Sequence, residues 1–584
     1  MRCSGIRILS LMALLAFLLS SPEVLSQSSE TYYWSAPKLL GLNRVMPAIG
    51  LLSDGTVVIA SIDSKQIPFP TYYHEQAIGD LYLGFYDPNG NLIREVQVDE
   101  DVTFIQPPFT YDVAPFMTIP YSDYIDLDIS SDDRITLMYN RYADYYWSSI
   151  RVKQYSRDGS VILGPITLFG YSSRWSLIND VTVTDNGDIH TINWNTNPMT
   201  GFDIVDYRRF DRTGQLINTA SLGLPAQRSD TDITDMQIAR ATSNSVFVAA
   251  MGYQPGSRLD PGAYDNKPFL WRITDGVPGQ VNAAAPGSRE AHCGYNNPGC
   301  YFVGLSMAVN NEKVYLAYTY HSGYGSVIWR PELTRYDQMG TPSFIPGFTS
   351  GVSRDDWRTS SADLIPSAEV LAEGNNWYYI WADKRAGGAA GGHAYDMFIE
   401  KQDDAGRVFV NDAPLAFTRN EDLLKAALGP DGTIYIVYTN GFVRKAGAES
   451  VEPALYFTKS STSKMTLSEN PVAGRPAAID ISSPATPNKP YVFFASFNQG
   501  ITPLGNGNIR ALPVQADLLF FLSITSPGLI FSNSQGTLNS NGNAQITFTP
   551  PVGSEGLTMY LGFVVYDANG ISLVSLANRE VIGV

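Results

Sequence analysis

The sequence predicts an all-β fold: a β-propeller of about eight four-stranded blades, with seven or nine left open, followed by a small C-terminal β-sandwich. Three observations predict it. An apolar strand, a polar turn and an alternating strand recur at 51–61 (LLSDGTVVIAS), 129–140, 183–195, 239–251, 307–320, 371–383, 428–440 and 482–496 (SSPATPNKPYVFFAS). A second turn, suited to the hairpin between third and fourth strands, recurs at 86–93 (YDPNGNLI), 155–162, 210–217, 336–343 and 402–409. The composition, with 34 Tyr, 27 Phe, 50 Gly and 36 Pro in 584 residues, favours strands and turns over helices. No long stretch after the N-terminus carries helical apolar spacing. Periodic all-β units of this size stack their sheets face to face, each burying what its neighbour would leave exposed.

Residues 1–26 read as a targeting segment. Arg2 and Arg7 precede the apolar run 8–19, and Val24 and Ser26 suit the positions before a signal-peptidase cut. The mature chain is therefore expected to be secreted, periplasmic or on a cell surface, with no insertion into a membrane. An orphan strand, TYYWSAPKLL (31–40), precedes the first repeat and is expected to close the ring as the outer strand of the last blade, which removes an exposed edge. The stretch 364–412 shows one whole blade: LIPSAEVLA, then NWYYIWA, a glycine-rich loop, AYDMFIEKQ, a tight turn with Gly406 and RVFVND. The eighth copy lacks a fourth-strand turn, so the propeller is set at 27–516 and the sandwich at 517–584. LLFFLSI (518–524) is expected to be a strand.

A net charge of −17 argues against nucleic acid and anionic membrane surfaces as partners. Cys293 and Cys300 flank a turn-forming Asn-Asn-Pro-Gly, and in an exported chain a loop-stapling disulfide is the natural reading. Further ligands at zinc spacing are missing. No metal or cofactor is called for. Asp126, Asp128, Asp180 and Asp480 fall on expected innermost strands, where clustered carboxylates facing a channel would hold calcium or, as the favoured reading, water.

The hairpin turns are short and uniform, whereas the connections on the opposite face are long and irregular. Long loops on a rigid ring are where binding resides. Tyr72, Tyr73, His74, Tyr142, Tyr145, Tyr146, Trp147, Tyr253, His321, Tyr324 and His393 belong to that face and suit contacts with sugar or protein.

Two stretches resemble known families. WADKR, with Trp381, Asp383, Arg385, Asp396, Asp404 and Gly406, resembles the W-x-D-x-R repeat of secreted bacterial β-propellers; its Asp–Arg pair is expected to tie a loop to its neighbour. The run from GTLNSNGNAQITFTPP to GLTMYLGFVVYDANGISLVSLANRE resembles C-terminal sandwich modules of secreted bacterial proteins. A shorter segment, NRVMPAIGLLSDGTVVIAS (43–61), is similar to the opening of bacterial sialidases, which would make Arg44 a carboxylate-binding arginine. It departs from that pattern by an extra residue between Arg44 and Pro47, and the aspartate-box turns are missing. The expected function is non-catalytic binding of a glycan or an extracellular protein through the long-loop face. The alternatives are a sialidase-like glycan hydrolase on the same ring, needing two carboxylates at catalytic spacing, and a structural component of a surface assembly.

Overall fold

The computed structural model describes residues 33–35, 37–66, 76–105, 125–144, 147–168, 179–196, 203–223, 233–242, 244–255, 264–283, 301–310, 313–323, 327–336, 342–343, 368–383, 396–404, 408–415, 422–440, 453–461, 464–467, 471–503, 511–526, 528–568, 570–575 and 578–583. Among these the chain is nearly all β-strand and propeller-like, with one helix, α1 (Leu518–Thr525). No helix among them is long and apolar enough to cross a membrane. The targeting segment, Cys293 and Cys300 lie outside the described residues.

Six antiparallel four-stranded units follow one another along the chain. The first runs through Arg44–Leu51, Val57–Gln66, Gln76–Tyr86 and Leu92–Ile105; the second through Ile125–Ile129, Ile135–Asp144, Trp147–Tyr155 and Val161–Thr167. A single pairing, Val102 with Arg141, bridges these two. The third holds Asn179–Val183, Ile189–Thr196, Asp203–Phe210 and Leu216–Gly223. The fourth, fifth and sixth begin at Ile233–Thr242, Tyr301–Asn310 and Ala368–Glu373. A seventh unit has three consecutive strands, Asp422–Leu428, Ile434–Asn440 and Ala454–Ser461, and takes its fourth, Lys38–Leu42, from the start of the chain.

Each strand that begins a unit touches the one that begins the next, and Asp422–Leu428 of the seventh touches Arg44–Leu51 of the first. The alternating pattern explains this. Both faces of each sheet carry apolar residues, so each needs a neighbour on either side. Leu83 and Phe85 of the first sheet share a core with Leu137 and Tyr139 of the second. Met138 and Val152 pack on Val181 and Ile189 of the third, and similar cores follow up to the pair of sixth and seventh sheets. Val57 and Ile59 of the first sheet then pack on Val437 and Phe457 of the seventh. Gly90 lies in a turn at φ 73°, and a Cβ there would stand 2.5 Å from the Phe457 ring, so this contact requires glycine twice over.

The eighth repeat departs from expectation. Ala477–Ser482 pairs with Asn543–Phe548, and Pro490–Ser496 pairs with Thr558–Asp567, so the strands flanking its turn lie in two different sheets. Those sheets share one core, in which Ile479, Ile481 and Ile546 meet Phe493, Leu561 and Phe563. By strand pairing, Lys464–Leu467 and Ala477–Ser482 therefore lie with the C-terminal strands, ahead of position 517. An apolar strand, polar turn and alternating strand serve a hairpin and an arch between facing sheets equally well; the partner strands choose. The segment 518–524 is also corrected, from strand to helix. Asp517 caps α1 by accepting from Phe520 N at 3.0 Å, and its carboxylate also receives Ser496 Oγ and Phe497 N. At the end of the segment 31–40, Lys38–Leu42 pairs with Ala454–Ser461 of the seventh sheet. Tyr33–Trp34 then lies between Ala454–Ser461 and Gly570–Ser575, joining this sheet to the C-terminal part.

Candidate functional site

The carboxylates on the innermost strands act as clasps. Asp126 Oδ2 accepts from Val181 N at 2.8 Å and Asp128 Oδ2 from Val183 N at 2.7 Å. Asp180 Oδ2 accepts from Ile238 N at 2.6 Å, and Asp235 Oδ2 from Leu305 N at 2.8 Å. Glu369 continues the series, accepting from Ser306 Oγ at 2.8 Å and pairing with Lys425 Nζ at 3.0 Å. Each carboxylate reaches one sheet onward or back and engages the neighbour's inner strand. Asp126, Asp128 and Asp180 were expected to line a hydrated channel; instead they hold adjacent sheets together. Asp480 is in the C-terminal part, bound to Gln545 Nε2 at 2.8 Å. Among the described residues no group of three or more His, Cys, Asp or Glu is arranged to hold a metal ion.

Arg44 is likewise structural. Its guanidinium stacks on Tyr82 at 4.2 Å, with Nη2 3.1 Å from Glu95 Oε2 and Nε 3.6 Å from Asp63 Oδ2. Two carboxylates neutralise it, contrary to a free carboxylate-binding arginine. His190 is buried with Nδ1 2.8 Å from Tyr207 Oη. Burial, reinforced by Arg209, pushes its pKa down to about 3, so it stays neutral. Trp381 is core, stacked between Tyr379 and Phe398. Asp404 ties the sixth sheet to the fifth: it accepts from Lys313 Nζ, from Tyr315 Oη at 2.6 Å and from Arg335 Nη1 at 3.1 Å.

Of the expected binding residues, Tyr72, Tyr73, His74, Tyr145, Tyr146, Tyr324, Arg385 and His393 lie outside the described residues. Tyr142, Trp147, Tyr253, His321 and Asp383 are placed at strand ends remote from the short hairpin turns.

At the long-loop end of the interface between the second and third sheets, polar side chains take the place of the apolar core. Asn179, Asn193 and Asp206 stand opposite one another on three successive strands and share a face. That face also carries Val181 and Ile189, which pack against the second sheet. On the second sheet Asn140 lies two residues beyond Met138, which belongs to the same core. Asn140 and Asn179 are fully buried, with Thr191 and Asn193 at 1% and 3% exposure. Asn193 Nδ2 donates to Trp194 O at 3.1 Å, while Asn193 Oδ1 and Thr191 Oγ1 are buried without a hydrogen bond. Asp206, Arg208 and Asn195 are less deeply placed. Arg208 Nη1 donates to Leu168 O of the second sheet at 2.7 Å, and its Nη2 stands 3.4 Å from Asp206 Oδ2. Burial pushes the Asp206 carboxyl up, against the pull of Arg208 and Asn195.

A buried polar group without a hydrogen bond costs about 1–3 kcal/mol, and strands that are otherwise apolar here carry amide, hydroxyl and carboxyl side chains together. Such a set can hydrogen-bond a hydroxyl-rich ligand and, through Asp206, hold a proton at higher pH than an ordinary carboxylate. Sequence reasoning singled out the loops leaving these strands but not Asn140, Asn179, Thr191, Asn193 or Asp206. The usable signal was polar residues at inward positions of IHTINWN and its neighbours.

No known protein family matches the chain, and no curated protein matches its sequence. Among solved structures it is similar to an ulvan lyase of a polysaccharide lyase family, at 11% identity and TM-score 0.41, over 73% of this chain and 94% of that one. It is also similar to an α-L-arabinanase of Penicillium chrysogenum, at 10% identity and TM-score 0.33, over 57% and 92% of the two chains. A third likeness is to a glycoside hydrolase of Xanthomonas citri, at 12% identity and TM-score 0.29, over 72% and 95%.

Proposed function

We propose that this protein is an exported, non-catalytic, seven-bladed β-propeller with a C-terminal β-sandwich, and that it binds a glycan at the long-loop end of the crevice between its second and third blades. The seven consecutive inter-sheet cores support the ring. The observation that carries the binding site is the buried set Asn140, Asn179, Thr191 and Asn193, backed by Asp206 and Arg208. Saccharides present many hydroxyls that donate and accept at once, and amide and hydroxyl side chains in a recess match them. The test is a glycan-array screen of the mature chain and its Asn193→Ala variant, run beside an assay for released sugar. Retained binding in the variant, at undiminished affinity, sinks the site.

The raised carboxyl of Asp206 favours one second reading, a glycan-cleaving enzyme with Asp206 as proton donor. Released sugar in the wild type that is lost in Asp206→Asn, with binding retained, replaces the first reading by this one. An extracellular protein partner, or a structural place in a surface assembly, becomes the better reading if neither binding nor release is seen.

A further inference from the structure

The second sheet has a polar crevice on one face and a cluster of positive charge on the other. Asn140 and Arg141 are neighbours on one strand, so their side chains leave it on opposite faces. Tyr139, Arg141, Arg151 and Lys153 share the face that packs on the first sheet: Tyr139 stands opposite Arg151, and Leu137, which belongs to that core, opposite Lys153. They surround Asp99, on the outermost strand of the first sheet. Tyr139 Oη donates to Asp99 Oδ2 at 2.6 Å, and Arg151 Nη1 does so at 3.1 Å. Arg141 Nε is 3.6 Å from Asp99 Oδ1 and Lys153 Nζ is 3.8 Å from Oδ2, both beyond hydrogen-bond reach. Lys153 instead donates to the Val98 carbonyl. Arg141 Nε and Arg151 Nε are buried without a hydrogen bond.

Three cations thus face one carboxylate in a chain whose net charge is −17. Of the other carboxylates of the first sheet, Glu95 pairs with Arg44, and Asp80 and Asp101 pair with Lys65. Crowding by burial and by the two arginines holds Lys153 below the usual lysine range, against the pull of Asp99. The staple itself does not need this surplus, since Asp404 performs the same task with two cations, both donating directly to its carboxylate.

Arginine N–H groups paired with a lysine suit an oxyanion, carboxylate or sulfate, which offers several acceptor atoms at once. We infer that the groove between the first and second sheets, at Arg141, Arg151 and Lys153, binds a carboxylate or sulfate substituent of the glycan, so that the ligand is an acidic polysaccharide. This rests on the glycan reading above and adds its charge. The two contacts would lie on either side of one sheet, about 10 Å apart, a separation that neighbouring units of one chain can span.

The experiment measures binding of the full mature chain to dextran sulfate, polygalacturonate and uncharged dextran, beside Arg141→Gln. Melting with inorganic sulfate is read against chloride at matched ionic strength. The expected result is at least about tenfold tighter binding of an acidic polymer than of dextran, a preference that falls by about tenfold in Arg141→Gln. Dextran sulfate against polygalacturonate decides which anion is read. Equal binding of acidic and neutral polymers, or an unchanged preference in the variant, overturns the inference while leaving the glycan reading standing. If sulfate raises the melting temperature of the wild type more than that of the variant but no polymer binds, the anion site stands and the glycan reading falls. If sulfate acts on both alike and no polymer binds, both fall.

Discussion

Asp99 and Asp404 stand in similar company at two different sheet interfaces. Each accepts from a buried tyrosine hydroxyl at 2.6 Å and from an arginine Nη1 at 3.1 Å, and each has a lysine beside it. Each ties one sheet to its neighbour. At Asp404 the donors are spent: Lys313 bonds the carboxylate, and Arg335 bonds both the carboxylate and the Asp404 carbonyl at 3.0 Å. At Asp99 a third cation is present, and two of the three stand outside hydrogen-bond reach. The difference separates cations committed to the tie between sheets from cations left over beside it.

The most severe way to probe that difference is to remove each carboxylate. Asp99→Asn leaves three cations facing one another and is expected to cost about 3–4 kcal/mol, against about 2 kcal/mol for Asp404→Asn, where two remain. Urea unfolding of both variants measures it, and equal losses break the comparison. Both carboxyls are held below the usual aspartate range, against the cost of burial, by tyrosine hydrogen bonds and nearby cations. Their folded pKa values are therefore below the unfolded ones. The stabilisation is present above the unfolded value of 3.8 and is lost as pH falls through the folded values. Melting temperature followed from pH 5 downward should fall less steeply in either variant than in wild type.

Tyr139→Phe and Tyr315→Phe sharpen the comparison from the other side. Each removes one hydrogen bond to a charged acceptor from a fully buried ring, and each is expected to cost about 1.5–2 kcal/mol. Similar losses in calorimetry mean the two staples share their mechanical part; a loss confined to one means they do not. The smallest effect belongs to Arg141→Gln. Relief of repulsion should offset its weak pairing, leaving stability within about 0.5 kcal/mol of wild type. Added salt should stabilise the wild type more than this variant, because salt screens the surplus charge that the substitution removes. A large loss in Arg141→Gln makes Arg141 part of the staple.

The repeats were legible because each sheet needs apolar residues on both faces and a short polar turn at one end. YDPNGNLI and LLSDGTVVIAS meet those needs locally, and both turns occur where expected. SSPATPNKPYVFFAS meets them as well, yet joins two sheets. LLFFLSI was misread for a related reason: an apolar run has no period of its own, and the Asp517 cap, together with burial of Leu519 and Phe520, chose the helix. The candidate site was legible only as a side of the ring. Its amides lie on strands from two sheets 39 positions apart (Asn140 to Asn179), and no local pattern relates them.

By itself, then, the sequence determined the secondary structure of most repeats, their meander order and the acidic character of the surface, because these follow from side-chain alternation, turn chemistry and charge. Tertiary structure decided which strands the eighth repeat pairs with, which sheet the N-terminal strand closes, and that the inner aspartates clasp backbone amides. It also decided that Arg141, Arg151 and Lys153 share a single carboxylate. Each of these depends on which faces meet across the crevices between sheets, and that meeting is set by burying all the apolar faces at once.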